Sequence, residues 1–160
     1  YAASATSNNT DIIVTPRFLL LHAISHLLIK ELETQAGYPA ASLKEKIYSA
    51  EDVEDPMSGI LIYVAIPDVD GSLGGLAELA EPQRLILLLV KLFEKAQWCS
   101  LDPVCSGHQG QGPALLNLAA CHACLLLPET SCCCGNSLLD RLLVRGDINQ
   151  SLPGILEGVL

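Results

Sequence analysis

All seven cysteines of this 160-residue chain lie between Cys99 and Cys134, and the first 98 residues contain none. Cysteine serving only as a small core hydrophobe would be spread along the chain, so this segregation marks one segment that needs bracing. An odd count does not close into a full set of intramolecular disulfides. The opening stretch from Tyr1 to Thr10 is small and polar, with no basic run ahead of an apolar one, so a reducing, cytoplasmic setting is expected. In that setting clustered thiols are metal ligands before they are cross-links.

The centre of the segment is Cys121-His122-Ala123-Cys124, a C-x2-C knuckle. Two intervening residues let a tight turn present both sulfurs to one ion, while main-chain N–H groups hydrogen-bond the thiolates. Upstream, Cys99 and Cys105 flank a turn at Asp102-Pro103. A tetrahedral zinc site built from Cys99, Cys105, Cys121 and Cys124 would fasten the base of the glycine-rich loop 106–113, which cannot form a core of its own. Cys132 is a fifth candidate, competing most directly with Cys105, and His108 and His122 are substitute ligands. Cys133 and Cys134 are read as spare thiols, since three consecutive residues cannot easily all aim at one ion. Four thiolates leave no coordination position open, so the expected Zn2+ is structural rather than catalytic. The competing reading, a redox-active C-x2-C, calls for a strand before the motif, whereas 114–120 reads as helical.

Half of the residues are apolar, 17% are charged and only 4% are aromatic, so the core must be built from Leu, Ile, Val and Ala. That composition excludes disorder as a description of the whole chain. The apolar stretches are too short or too interrupted to cross a bilayer. Eighteen acidic against nine basic residues give a net charge of −9, which argues against a grip on a nucleic-acid backbone by this chain alone. The bases are scattered, and Arg141 and Arg145, four apart, read as a solvated helix face.

Thr15-Pro16 is a helix start, and the helix over 17–36 stops at Gly37. It is apolar around much of its circumference and should be nearly enclosed. The pattern further predicts an amphipathic helix over 42–48, a strand over 59–66 buried on both faces, and a short helix ending before Pro82. A second long helix runs from Pro82 to Gln97, and a last one over 137–144 is capped by Asn136. The tail, 152–160, reads as a strand or a docking segment. The sum is a mixed, helix-rich α+β fold: long buried helices packed on a small sheet, with a cysteine-rich zinc loop over 98–135. Residues 1–12 are expected to be a disordered N-terminal segment and 13–160 a single zinc-binding domain.

His22 and His26, four apart, share a helical face. The spacing suits a metal, but hydrolases of that pattern carry Glu after the first His, where this chain has Ala23. The plain reading is two partly buried histidines hydrogen-bonded within a packed helix. The alternative is a hydrolase or nuclease-like site of His22 and His26 with Asp68 or Asp70. The loop 68–75 lacks both Walker spacing with its lysine and a complete calcium pattern, so its glycines are read as serving a tight turn. No catalytic or cofactor-binding residue is assigned, and the chain is not expected to be an enzyme.

His22-Ala23-Ile24-Ser25-His26, Ile62-Tyr63, Asp70-Gly71-Ser72-Leu73-Gly74-Gly75, Trp98-Cys99 and Cys121-His122-Ala123-Cys124 follow one another in an order that resembles the MrfA-type zinc-binding (MZB) domain family. Such domains occur in MrfA-type DNA-repair helicases and in DrmB, the helicase-associated component of DISARM anti-phage systems. The stretch 117–132 is more similar to the DrmB-type branch, and the likeness covers roughly residues 16–144. It implies a four-cysteine zinc site at Cys99, Cys105, Cys121 and Cys124, with a longer insertion between Cys105 and Cys121 than in the helicase branch. It also implies a structural, helicase-associated accessory domain in the cytoplasm, serving phage defence or DNA repair. Such a domain would mediate protein–protein or protein–DNA coupling beside a helicase or translocase, touching DNA only indirectly or weakly, with no membrane partner. A pure protein-interaction module is the further alternative.

Overall fold

The computed structural model describes residues 12–50, 54, 56–65, 73–108, 110–147 and 153–155. Its axis is α1, Pro16–Ala36. Thr15 caps the helix by accepting the Phe18 N–H at 3.1 Å, Pro16 supplies a preset φ, and Gly37 closes the end at φ +70°. Ten of its residues are buried, Phe18, Ala23, Leu27 and Ile29 among them, so the enclosure anticipated from the sequence is found. Polar groups are enclosed too: Glu31, with no exposure, pairs with Lys95.

The segment expected as a helix over 42–48 is instead a strand, β1, Leu43–Ala50. It pairs antiparallel with β2, Met57–Val64, in register from Leu43↔Val64 to Ala50↔Met57. Glu45, Lys44 and Lys46 favour helix locally, but Leu43 and Glu45 turn inward on alternate positions, and strand pairing overrides propensity. The expected burial of the second strand on both faces is also corrected. Met57, Leu61 and Tyr63 are exposed, because the sheet has two strands and α1 covers one side. Ile66, residues 66–72 with Asp68 and Asp70, residues 1–11 and most of the tail lie outside the described residues.

Two further helices follow, α2, Leu73–Leu79, and α3, Pro82–Ala96, both where the pattern placed them. The inner side of α3 sets Leu88, Leu92 and Ala96 against α1 and the neighbouring loops. Its other side leaves Ile86, Leu87 and Val90 between 49% and 63% exposed. Beyond α3 the described residues hold only single helical turns, among them α4, Val104–Gly107, and α5, Leu142–Arg145. The helical reading of 114–120 fails: Ala114, Leu115 and Ala119 have φ of +52°, +58° and +49°. The expected helix over 137–144 shrinks to α5, since Asn136 and Leu138 are also left-handed, at φ +59° and +63°. Two buried asparagines replace helical hydrogen bonding here. Asn117 donates to Asn136 O at 2.7 Å and accepts from Leu139 N at 3.0 Å. Asn136 brackets Leu127 through both its N–H and its carbonyl.

The architecture is mixed α+β. Its main core joins Ala23 and Leu27 of α1 to Leu92 and Ala96 of α3, and runs directly into Cys99, Cys105 and Cys124. No helix among the described residues is long and apolar enough to cross a membrane.

Candidate metal centre

Three elements deliver the four sulfurs. Cys99 follows the end of α3, Cys105 lies on α4, and Cys121 and Cys124 sit on the knuckle turn. All four ligand atoms lie within 4.8 Å of one another. Sγ–Sγ separations are 3.5 Å for Cys99–Cys121, 3.7 Å for Cys121–Cys124 and 3.8 Å for Cys105–Cys124. A disulfide needs about 2.05 Å, and every described cysteine is a free thiol. A tetrahedral ion with Zn–S bonds of about 2.3 Å requires edges of about 3.8 Å. The sulfurs therefore already stand near the corners of such a site.

The electrostatics fit a cation. Burial and the neighbouring Cys124 push the Cys105 thiol well above the usual range, and burial with Cys121 beside it raises Cys124 to about 11. Several thiolates this close coexist only if a positive charge sits among them. Main-chain donors are already aimed at two of them, Leu101 N–H at Cys99 Sγ (3.4 Å) and Cys121 N–H at Cys124 Sγ (3.2 Å). The set is soft, closed and four-coordinate, which suits zinc in a structural role.

Asp102 and Arg141 hold this arrangement together. Asp102 accepts the Cys99 N–H at 2.8 Å and the Ser106 N–H at 3.1 Å, fixing both arms of the Cys99–Cys105 turn. Arg141 grips the same carboxylate through Nη2 at 2.8 and 3.0 Å. It also donates to Ala119 O at 3.3 Å and Ala96 O at 3.2 Å, joining α3 to the strand-like segment before the knuckle. Burial alone would raise the Asp102 pKa, but the guanidinium outweighs it and holds the carboxyl below its usual range. The expectation of a solvated face at Arg141 is corrected: its exposure is 0%. A charged residue reads as surface unless a partner is visible in sequence, and Asp102 lies 39 positions away.

Cys132 stands apart from the four sulfurs. It lies with His22, His26 and Glu45 in a second buried cluster whose ligand atoms are again within 4.8 Å. His22 Nε2 is 3.2 Å from Cys132 Sγ and 3.1 Å from Glu45 Oε1, and His26 Nε2 is 3.4 Å from the same oxygen. Burial would lower the His22 pKa, but the Cys132 thiol and the Glu45 carboxylate raise it to about 9. Burial likewise opposes ionisation of Glu45, yet the two imidazoles hold its carboxyl far below the ordinary range. Glu45 was missed in the sequence because the strand that carries it read as helix. Its inward position, two after Leu43 on a period of two, was the available signal. His108, His122 and Cys133 are exposed, and neither His108 nor His122 enters a ligand set among the described residues.

Four sulfurs gathered within 4.8 Å of one another at the edge of the core mark a metal-binding domain. The chain belongs to the MrfA Zn-binding domain family, whose pattern matches residues 24–125. It is 40% identical over 143 residues to the DISARM protein DrmB of Bacillus paralicheniformis (strain ATCC 9945a / NCIMB 11709 / CD-2). That match takes in 89% of this chain and 25% of the relative, so the chain spans about a quarter of the relative's length.

Proposed function

We propose that residues 13–160 act as one zinc-stabilised accessory domain of a cytoplasmic DNA helicase or translocase system, in anti-phage defence or DNA repair. Zn2+ is held by Cys99, Cys105, Cys121 and Cys124, and the domain itself is not an enzyme. The observation that carries this reading is the near-tetrahedral four-sulfur cluster in a chain of a zinc-binding family. The relative's designation as a DISARM protein supports the defence setting. The net charge of −9 favours coupling through protein contacts over a direct grip on DNA. Ile86, Leu87 and Val90, exposed on one face of α3, supply an apolar docking surface for such contacts. A hydrolase site at His22 and His26 is disfavoured, because both imidazoles have no exposure and give a substrate no approach.

Metal analysis of the purified full chain, with and without Cys121→Ser, tests the proposal. The substitution is expected to remove one equivalent of zinc and to loosen the loop region against proteolysis. Unchanged zinc content, or loss of metal with no loss of folding, would overturn the structural assignment.

A further inference from the structure

We infer that His22, His26, Glu45 and Cys132 form a second, closed binding site for a zinc-type divalent cation, distinct from the four-cysteine cluster. His22 Nδ1 sits 3.2 Å from Leu138 O, and His26 Nδ1 sits 2.9 Å from Leu125 O. Each carbonyl can only accept, so each Nδ1 carries the proton and donates. The Nδ1 protons are thereby set, and both Nε2 atoms face Glu45 and Cys132, where a cation would take the place of the proton that His22 otherwise holds. This is the outer-shell arrangement that metal-ligating histidines use.

Without a cation the account does not balance. His26 Nε2 and Glu45 Oε2 are buried with no hydrogen-bond partner. A proton shared between His22 and Glu45 satisfies neither. Each orphaned buried group costs about 1–3 kcal/mol, and a cation among these four side chains would give His26 Nε2 and the Glu45 carboxylate a partner. A divalent ion accepts all four lone pairs at once. It also leaves the pocket neutral, with one thiolate and one carboxylate against two positive charges. Zn–N and Zn–O bonds of about 2.0–2.2 Å give tetrahedral edges of about 3.3–3.6 Å. The observed 3.1, 3.2 and 3.4 Å separations lie close to that range.

The sulfur is prepared as a thiolate ligand. Cys132 Sγ accepts N–H groups from Cys134 at 3.3 Å and Asn136 at 3.2 Å. Glu45 Oε1 is held by the Cys133 N–H at 3.1 Å. Nitrogen and sulfur donors exclude calcium and magnesium, and a complete tetrahedron leaves no place for water or substrate. The ion would pin α1, β1 and the segment after the knuckle at one point, as the four-sulfur site pins α3, α4 and the knuckle.

Zinc per chain and the zinc X-ray absorption edge of the full wild-type chain decide the matter. Two equivalents are expected, with five sulfurs and three nitrogen or oxygen ligands shared between them. Cys121→Ser should retain the ion bound by nitrogen, oxygen and one sulfur. Glu45→Gln and Cys132→Ser should each retain an all-sulfur ion and lose the other, and Co2+ substitution should show the same division in its visible bands. A wild type whose only ion sits among sulfur neighbours alone overturns the inference even if a variant fails to fold. Loss of only the all-sulfur ion would instead sink the four-cysteine assignment and leave this one standing.

Discussion

Replacing Arg141 with methionine should damage the domain more than any loss of surface charge. The side chain has no exposure, and it makes four hydrogen bonds, two to Asp102 and one each to Ala96 O and Ala119 O. Methionine fills much of the volume but strips Asp102 of its bidentate guanidinium, leaving it the Cys99 and Ser106 N–H groups and Arg145 at 3.7 Å, and takes a donor from two main-chain carbonyls. Breaking a buried ion pair by removing one partner costs about 3–5 kcal/mol. Asp102 keeps 20% side-chain exposure, so water recovers part of its solvation and the lower end applies. At about 2–4 °C per kcal/mol for a chain of this size, a loss of about 3 kcal/mol lowers the melting temperature by roughly 6–12 °C. Thermal unfolding followed by circular dichroism in zinc-saturated buffer measures it, and a chromophoric chelator should extract metal faster from the variant. Asp102→Asn should cost less alone, and the double variant should show a coupling of at least about 1 kcal/mol. A melting point within about 2 °C of the wild type, about 1 kcal/mol or less, or additive single effects, would refute the role given to this pair.

Two other expectations follow from the same structure. Burial, with Asp147 nearby, raises the Asp140 pKa from 3.8 to about 6, so the fold favours the protonated carboxyl. Its contribution is fully present below the unfolded value and lost as pH rises through about 6. Asp140→Asn, which keeps an acceptor for the Leu142 N–H, should therefore stabilise the chain by on the order of 2 kcal/mol at pH 7. That gain should vanish below pH 3.8 in urea titrations at a series of pH values, and a gain independent of pH would count against the assignment. Ile86→Glu with Val90→Glu on the outer face of α3 should change folding stability by less than about 0.5 kcal/mol. If the helicase-type partner proposed above docks there, the pair should abolish co-purification with it, and retained co-purification would move the docking surface elsewhere.

Local signals in the sequence were reliable where one element decides the outcome. Thr15, Pro16 and Gly37 bound α1, Pro82 opens α3, and the spacing of Cys99, Cys105, Cys121 and Cys124 gathers the four sulfurs that the fold brings together. The failures share a cause. β1 carries Lys44, Glu45 and Lys46, whose charge resembles a helix until its pairing with β2 is known. Glu45 reaches His22 and His26 only through that pairing, so the acid that seemed missing beside the histidines was supplied by tertiary structure. Cys132 reads as a competitor of Cys105 in the sequence, yet the left-handed backbone at Asn136 and Leu138 belongs to a segment that turns toward α1. Arg141 reads as surface because its partner is remote.

The hydrogen bond between His22 and Leu138 spans 116 residues. On a ribosome adding about 5–20 residues per second, the greasy first helix emerges about 6–23 s before the segment that covers it is made. During that interval Glu45, Leu88 and Leu92 are already made, but His22 still lacks Cys132 and Leu138. The burial of His22 is therefore completed only after the segment carrying Cys132 and Leu138 has been added.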